Sequence, residues 1–156
     1  MRASDLMTEN PECVTPETSV SEVAQKMRDR DVGIIPVVDA TDSRRLRGVV
    51  TDRDIAIRVV AEGRADARVS DCMTDRVETV NKNDSIRNVL GLMRREQVRR
   101  VPVTDREGRL VGIIAQADLA TEYAGEDHRR EHAVQETIEE ISEPARPERF
   151  GGRGRR

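Results

Sequence analysis

Apolar positions along the chain recur with two periods, and each period appears twice. Val20, Val23, Ala24 and Met27 fall at i, i+3, i+4 and i+7, as do Ile86, Val89, Leu90 and Met93, so each set draws one apolar stripe on a helix. Ser19 and Glu22 have the spacing of a capping box at the start of the first helix, and Asp84 or Ser85 can cap the second. A short β-branched run follows each helix, Ile34 to Val38 and Val101 to Val103; after a polar turn comes a second run, Leu46 to Val50 and Leu110 to Ile114. Pro36 and Pro102 sit inside the first runs, which predicts an edge strand or a strand that stops pairing there. A shorter helix closes each unit, with Ile55, Ala56, Val59 and Val60 in one and Leu119, Ala120 and Tyr123 in the other. With a short strand near Val14 and another over 77–80, the pattern reads β-α-β-β-α, twice.

The residues repeat as well as the pattern. A shift of 66 matches Asp5 with Asp71, Met7 with Met73, Thr8 with Thr74, Met27 with Met93, Pro36 with Pro102 and Asp39 with Asp105. Beyond Asp39 the shift becomes 64, matching Leu46 with Leu110, Gly48 with Gly112 and Asp54 with Asp118, so the first copy carries two extra residues in the loop after Asp39. The expected architecture is therefore α+β, with one repeat over 1–66 and a second over 67–125 packed with pseudo-two-fold symmetry. A third helix is expected over 126–142, stopped by Pro144 and Pro147, followed by a disordered Arg/Gly tail over 143–156.

Composition narrows the function. The 156 residues carry 27 Lys+Arg and 30 Asp+Glu, net -3, but the tail from 143 holds five Arg and two Glu, leaving -6 for the body. Tyr123 and Phe150 are the sole aromatics, which removes a base-stacking platform for single-stranded nucleic acid and leaves at most weak phosphate contact by the tail. No apolar run reaches the roughly 18 residues of a membrane span and no signal-peptide core follows Met1, so a cytoplasmic protein is expected. Cys13 and Cys72 are too few for a disulfide framework and read as buried or half-buried thiols. His128 and His132, four apart, would share a helix face, but spacing fixes no third ligand; a surface pair, with no metal, is the expectation.

The densest local motif is Gly48-Val49-Val50-Thr51-Asp52-Arg53-Asp54, a strand running into a helix start. Two readings stand side by side. Unpaired N–H groups and the Thr51 hydroxyl suit a phosphate while Asp54 suits vicinal hydroxyls, or Thr51 is a helix cap with Asp54 its first-turn partner. Gly112-Ile113-Ile114-Ala115-Gln116-Ala117-Asp118 repeats the glycine and the aspartate.

The duplicated pattern of Asp-x-Met-Thr, capped helix, hydrophobic-Pro-Val-x-Asp strand and Gly-h-h-Thr-x-x-Asp resembles the CBS domain. In tandem it resembles a Bateman module, and it is similar to short stand-alone pairs of this family, including those of bacterial hypoxia responses. The resemblance implies a non-catalytic sensor that requires no cofactor and binds an adenine nucleotide (AMP, ADP, ATP or S-adenosylmethionine) as a regulatory ligand in clefts shared by both repeats. It also implies a homodimer and a regulated partner that the sequence does not name. One cleft would take Thr51 and Asp54 for phosphate and ribose, with Ile34, Ile35, Thr74 and the Val77 loop. The other would take Asp118 for ribose, Arg99 and Arg100 for phosphate, and Thr8 with the loop near Glu12. Adenine would be gripped by aliphatic side chains and the backbone edges of Ile35 or Val101. Ala115 stands where the first copy has Thr51, so the hydroxyl is expected in one cleft and the arginine pair in the other. The alternative is an oligomerising or partner-binding scaffold with vestigial clefts. No nucleophile and base stand at motif spacing, and no Walker loop is present, so an enzyme is not expected.

Overall fold

The computed structural model describes residues 1–123; the expected third helix, His128 and His132, and the tail lie outside the described residues. The order is α1 (Ala3–Leu6), β1 (Thr8–Glu9), α2 (Val20–Arg30), β2 (Ile34–Val38), β3 (Leu46–Thr51), α3 (Asp52–Ile55), a π-helical turn (Ala56–Val60), a 3-10 turn (Val69–Asp71), β4 (Thr74–Asp75), β5 (Val80–Asn81), α4 (Ile86–Glu96), β6 (Arg100–Thr104), β7 (Leu110–Ala115) and α5 (Gln116–Tyr123). The doubled β-α-β-β-α pattern is present. Val14 forms a single parallel bridge to Val37 where a strand was expected, and its counterpart is the two-residue β5.

Both long helices form as their stripes predict. Val20, Val23 and Met27 are buried on α2, and Ile86, Val89 and Met93, joined by Leu92, on α4; Ala24 is exposed. Ser19 and Ser85 are the caps, each accepting from the backbone N–H three residues on, Glu22 at 3.2 Å and Asn88 at 3.3 Å. Half of the expected box is absent on α2: the Glu22 carboxylate lies 3.9 Å from Lys26 Nζ one turn along. Both helices end on a left-handed non-glycine residue, Asp31 at φ 52° and Gln97 at φ 53°, positions related by the 66-residue shift.

The strands form two sheets, ordered β2-β3-β4 and β1-β7-β6-β5. Pro36 lies on the edge strand β2, and Pro102 on β6 just before the two residues, Val103 and Thr104, that pair with β5. The two repeats exchange their opening segments. Thr8 and Glu9 of the first repeat pair with Ile113 and Gly112 of the second, and Thr74 and Asp75 of the second pair with Val49 and Gly48 of the first.

The cores follow the same exchange. Ala3 is buried among Val89, Met93, Val101, Ile114 and Leu119 of the second repeat, with Leu6 and Met7 against them. Ala67, Val69 and Cys72 are buried among Val23, Ile35, Val37 and Val50 of the first. Each core side chain of Val or Ile size contributes about 1.5–3 kcal/mol by leaving water, so the exchange ties the two cores into one folding unit. The two β-hairpin loops also dock on each other: Leu46 N donates to Gly108 O at 3.1 Å and Leu110 N to Arg44 O at 2.8 Å. The exchange is reciprocal, as a two-fold relation between repeats requires. Between the repeats it leaves two clefts.

Candidate functional site

The first cleft, about 450 Å³, is lined by Gly33, Ile34, Val49 and Thr51 from the first repeat, and by Thr74, Arg76, Val77, Glu78, Glu96, Val98, Arg99, Arg100 and Pro102 from the second. The second, about 360 Å³, takes Thr8, Pro11, Glu12, Arg30, Val32, Ile34, Ile35 and Pro36, and then Arg100, Ile113, Ala115 and Asp118. Under the shifts of 66 and 64 these walls map onto each other almost residue for residue. Thr74 answers Thr8, Glu78 answers Glu12, Glu96 answers Arg30, and Ile113 answers Val49.

Of the expected first-cleft residues, Ile34, Thr51, Thr74 and Val77 meet there. Ile35 lines the second cleft instead, beside Ile34, which borders both; alternation along β2 buries its side chain in the first core. Asp54 lines neither. Its carboxylate accepts from Thr51 N at 3.0 Å and from the Thr74 hydroxyl at 3.3 Å, and Arg58 Nη1 stands 3.9 Å away. Thr51 Oγ1 in turn accepts from Asp54 N at 3.0 Å, so the capping reading of this motif is realised.

The remaining N–H groups at this turn are also engaged, Asp52 N by Gly33 O at 3.0 Å and Arg53 N by the Asp52 carboxylate at 2.8 Å. The expectation of unpaired N–H groups for a phosphate at residues 51–54 is therefore corrected. The hydroxyl proton of Thr51 is what this turn can still offer.

Thr8, Glu12, Arg100 and Asp118 line the second cleft together, and Ala115 supplies no hydroxyl there. Asp118 accepts from Ala115 N at 2.8 Å and faces the cavity. Val101 is fully buried in the second core and lines neither cleft. Arg99 and Arg100 are not confined to the second cleft. Both line the first, and both border a third cavity of about 380 Å³ with Ala115, Gln116, Ala117 and Ala120. The expected split of hydroxyl from arginines is thereby corrected: Thr51 and the arginine pair share the first cleft.

Sequence reasoning missed Arg76, Glu78 and Glu96 in the first cleft and Arg30 in the second. Arg76 projects from a left-handed turn at φ 53°, which no motif marks. The other three could have been found by applying the 66-residue shift to Glu12 and to each other.

The charges on the walls differ. Among the described residues none forms an ion pair with Arg76, Arg99 or Arg100, whereas Glu96 is held by Arg95 at 2.8 Å. In the second cleft Glu12 accepts from Lys26 Nζ at 2.8 Å through Oε1. Its buried Oε2 lies 2.9 Å from Arg30 Nε, out of line for a hydrogen bond, and has no hydrogen-bonding partner among the described residues. The Lys26 hydrogen bond, and then the charges of Lys26 and Arg30, hold the Glu12 carboxyl below its ordinary range against the opposing effect of burial. Burial pushes the Cys72 thiol up, consistent with an inert core residue, while Cys13 is half-buried beside the Arg44 guanidinium at 3.5 Å. No group of three or more His, Cys, Asp or Glu suited to a metal occurs among the described residues. Nor is any described helix long and apolar enough to cross a membrane.

Two copies of the CBS domain model match the chain, at residues 3–61 and 69–125. The chain belongs to the CBS-domain family. Its relatives include Hypoxic response protein 1 of Mycobacterium tuberculosis, 38% identical over 144 residues, which cover 91% of this chain and 94% of the relative. A crystal structure of Hypoxic Response Protein I with two coordinated zinc ions matches with a TM-score of 0.70 and 37% identity, covering 78% of this chain and 98% of that one. The structure of CBSX2 in complex with AMP matches with a TM-score of 0.70 and 26% identity, covering 80% and 96%. This CBS pair thus shares its fold with a pair solved bound to an adenine nucleotide.

Proposed function

We propose that the chain is a non-catalytic regulatory module that binds an adenine nucleotide, AMP, ADP, ATP or S-adenosylmethionine, in the clefts between its CBS repeats, and that it works as a cytoplasmic homodimer on a partner protein. The observation that carries this reading is the first cleft. It is a 450 Å³ concavity with aliphatic walls at Ile34, Val49 and Val98, a hydroxyl at Thr51 and three guanidinium groups that have no ion-pair partner among the described residues. An apolar concavity with a few convergent polar groups is the usual form of a small-molecule site, and unpaired arginines make strong charge-assisted bonds to phosphate. The AMP complex of CBSX2 supports the ligand class. In the second cleft Asp118 is the acceptor for a ribose; in the first, Asp54 would have to leave Thr74 to serve that role.

Thermal shift with AMP, ADP, ATP, S-adenosylmethionine and NADH tests the reading. A ligand at 100 times its dissociation constant adds about 2.7 kcal/mol of stability, a readily measured rise in Tm. Silence across the whole panel would leave the clefts vestigial and the protein an oligomerising scaffold.

A further inference from the structure

Arg100 is the first residue of β6 and, among the described residues, the one charged residue that lines both clefts. It also lines the third cavity, which it shares with Arg99. Across the sheet its partner is Ala115, whose methyl group leaves the guanidinium room on either side; the equivalent pair in the other sheet is Ile34 and Thr51, with no charge at all. No described carboxylate pairs with Arg99 or Arg100, and none lines the third cavity. Arg100 thus stands where three cavities meet and Arg99 where two do, neither in an ion pair among the described residues, although Glu78 shares the first cleft with both and Asp118 the second with Arg100. Elsewhere on the cleft walls Glu12 and Glu96 have their own cationic partners.

We propose that Arg100 is a single anion ligand shared by the two clefts, so that phosphate-bearing ligands in the two sites are negatively coupled. This rests on the nucleotide reading of the clefts and names how that site is regulated. A first polyphosphate draws the guanidinium to its own side. A second, entering the opposite cleft, finds that group engaged and a new negative charge beyond it. Its affinity falls, and by linkage each ligand weakens the other by the same factor, typically 5-fold or more for coupled sites. A neutral nucleoside does not compete for a cation, and its two binding steps are uncoupled. The chain would then hold one polyphosphate tightly and add a second only at much higher concentration.

Calorimetric titration of the full-length protein with ATP, with adenosine and with inorganic tripolyphosphate tests this in the wild type, Arg100→Gln and Arg99→Gln. Both arginines are exposed, so the variants retain the fold. Arg100→Gln should weaken the first ATP step by about tenfold or more and the second much less, since the second ligand already finds the guanidinium engaged, and so bring their ratio to that seen with adenosine. Arg99→Gln, which lines the first cleft and not the second, should weaken one step. If Arg100→Gln spares the first step, or weakens both steps alike and leaves their ratio unchanged, or if wild-type ATP steps are as independent as those of adenosine, the shared-ligand proposal is wrong. Tripolyphosphate separates the two ideas: binding that Arg100→Gln reduces, with no response to ATP or adenosine, would keep the anion ligand and overturn the nucleotide reading. If neither ATP nor tripolyphosphate binds, both fall.

Discussion

Gly112 and Met7 are 105 residues apart in sequence, yet a Cβ built on Gly112 would stand 2.7 Å from Met7 Cγ and 2.9 Å from Met7 Cβ. Gly48 has the same relationship to the other exchanged segment, where a Cβ would run into the Thr74 carbonyl oxygen and lie 2.9 Å from Met73 Cε. Neither glycine is there for a positive φ; each makes room for the opening strand of the other repeat to lie flat. Gly48→Ala and Gly112→Ala should therefore destabilise by about 1–3 kcal/mol, as overpacking does. Gly48→Ala should be the worse, since a backbone carbonyl yields less readily than a thioether side chain. Gly91, exposed within α4 and with nothing within 4 Å of its Cβ position, is the control: Gly91→Ala should raise Tm. Unfolding curves for the three variants check the order, and a neutral Gly48→Ala would contradict the close approach.

Asp54 and Asp118 occupy equivalent places in sequence and each accepts from the backbone N–H three residues back, but they differ in what else they face. Asp54 accepts from Thr51 N and the Thr74 hydroxyl, joining the repeats, while Asp118 accepts from Ala115 N and faces the second cleft. Asp54→Ala should thus cost more stability in the absence of ligand, about 1–2 kcal/mol, and Asp118→Ala less. For nucleotide affinity the order should reverse, with Asp118→Ala losing tenfold or more at one step. Paired melting and calorimetry on the two variants read both quantities. Equal effects of the two on affinity would remove the distinction between the clefts.

Much of the fold was legible because it is written in local periodicity. The stripe from Ile86 to Met93 and the runs around Pro36 and Pro102 each specify an element without reference to the rest of the chain. The exchange of opening segments was not legible, because Met7-Thr8 and Met73-Thr74 are alike and periodicity does not say which β-strand each will join. The same limit misplaced the site. Arg100 was recognisable as a phosphate-facing position, but that one guanidinium borders both clefts depends on how the two sheets approach. Asp54 fits a ribose contact and a cap equally well on sequence, and its choice of Thr74 follows from the exchanged segment that brings Thr74 beside it.

Glu12 sets an acid limit on the second cleft. Its folded pKa lies below the ordinary 4.5, through the Lys26 hydrogen bond first, and that of Lys26 lies above 10.5 for the reciprocal reason. Folding thus favours ionised Glu12, a contribution complete above pH 4.5 and lost as pH falls through the lower folded value. The Lys26 contribution is complete below pH 10.5 and lost as pH rises through its raised value. Both side chains are about 30% exposed, so solvent screening keeps the pair to about 1 kcal/mol or less. Glu12→Gln should lower Tm by a small, constant amount across the neutral range, and the gap should narrow below pH 4.5 and close as pH falls through the lowered folded value. A gap that does not narrow at any acid pH where the protein stays folded would mean that packing, not charge, is what the substitution removes.

Beyond α3 the chain widens into the π-helical turn Ala56–Val60, closed by Ala61 N donating to Ala56 O at 3.0 Å. This geometry turns Val59 into the core and leaves Ile57 48% and Val60 71% exposed, so that Val59 and Val60, named together from the sequence as apolar residues of the closing helix, part company. Arg58 fixes the turn from the side by donating to Cys72 O and Met73 O, each at 3.1 Å, so these apolar groups are held out in place. Two large aliphatic side chains displayed on an anchored turn are what the proposed homodimer would cover. Ile57→Glu with Val60→Glu should convert the dimer to a monomer, read by light scattering at matched concentrations. Because both side chains already face solvent, each substitution alone should change monomer stability by no more than about 0.5 kcal/mol. Neither residue lines a cleft, so nucleotide affinity per chain should be unchanged. A wild-type protein that is monomeric at high micromolar concentration, or a double variant that remains dimeric, would show that the copies do not meet on this turn.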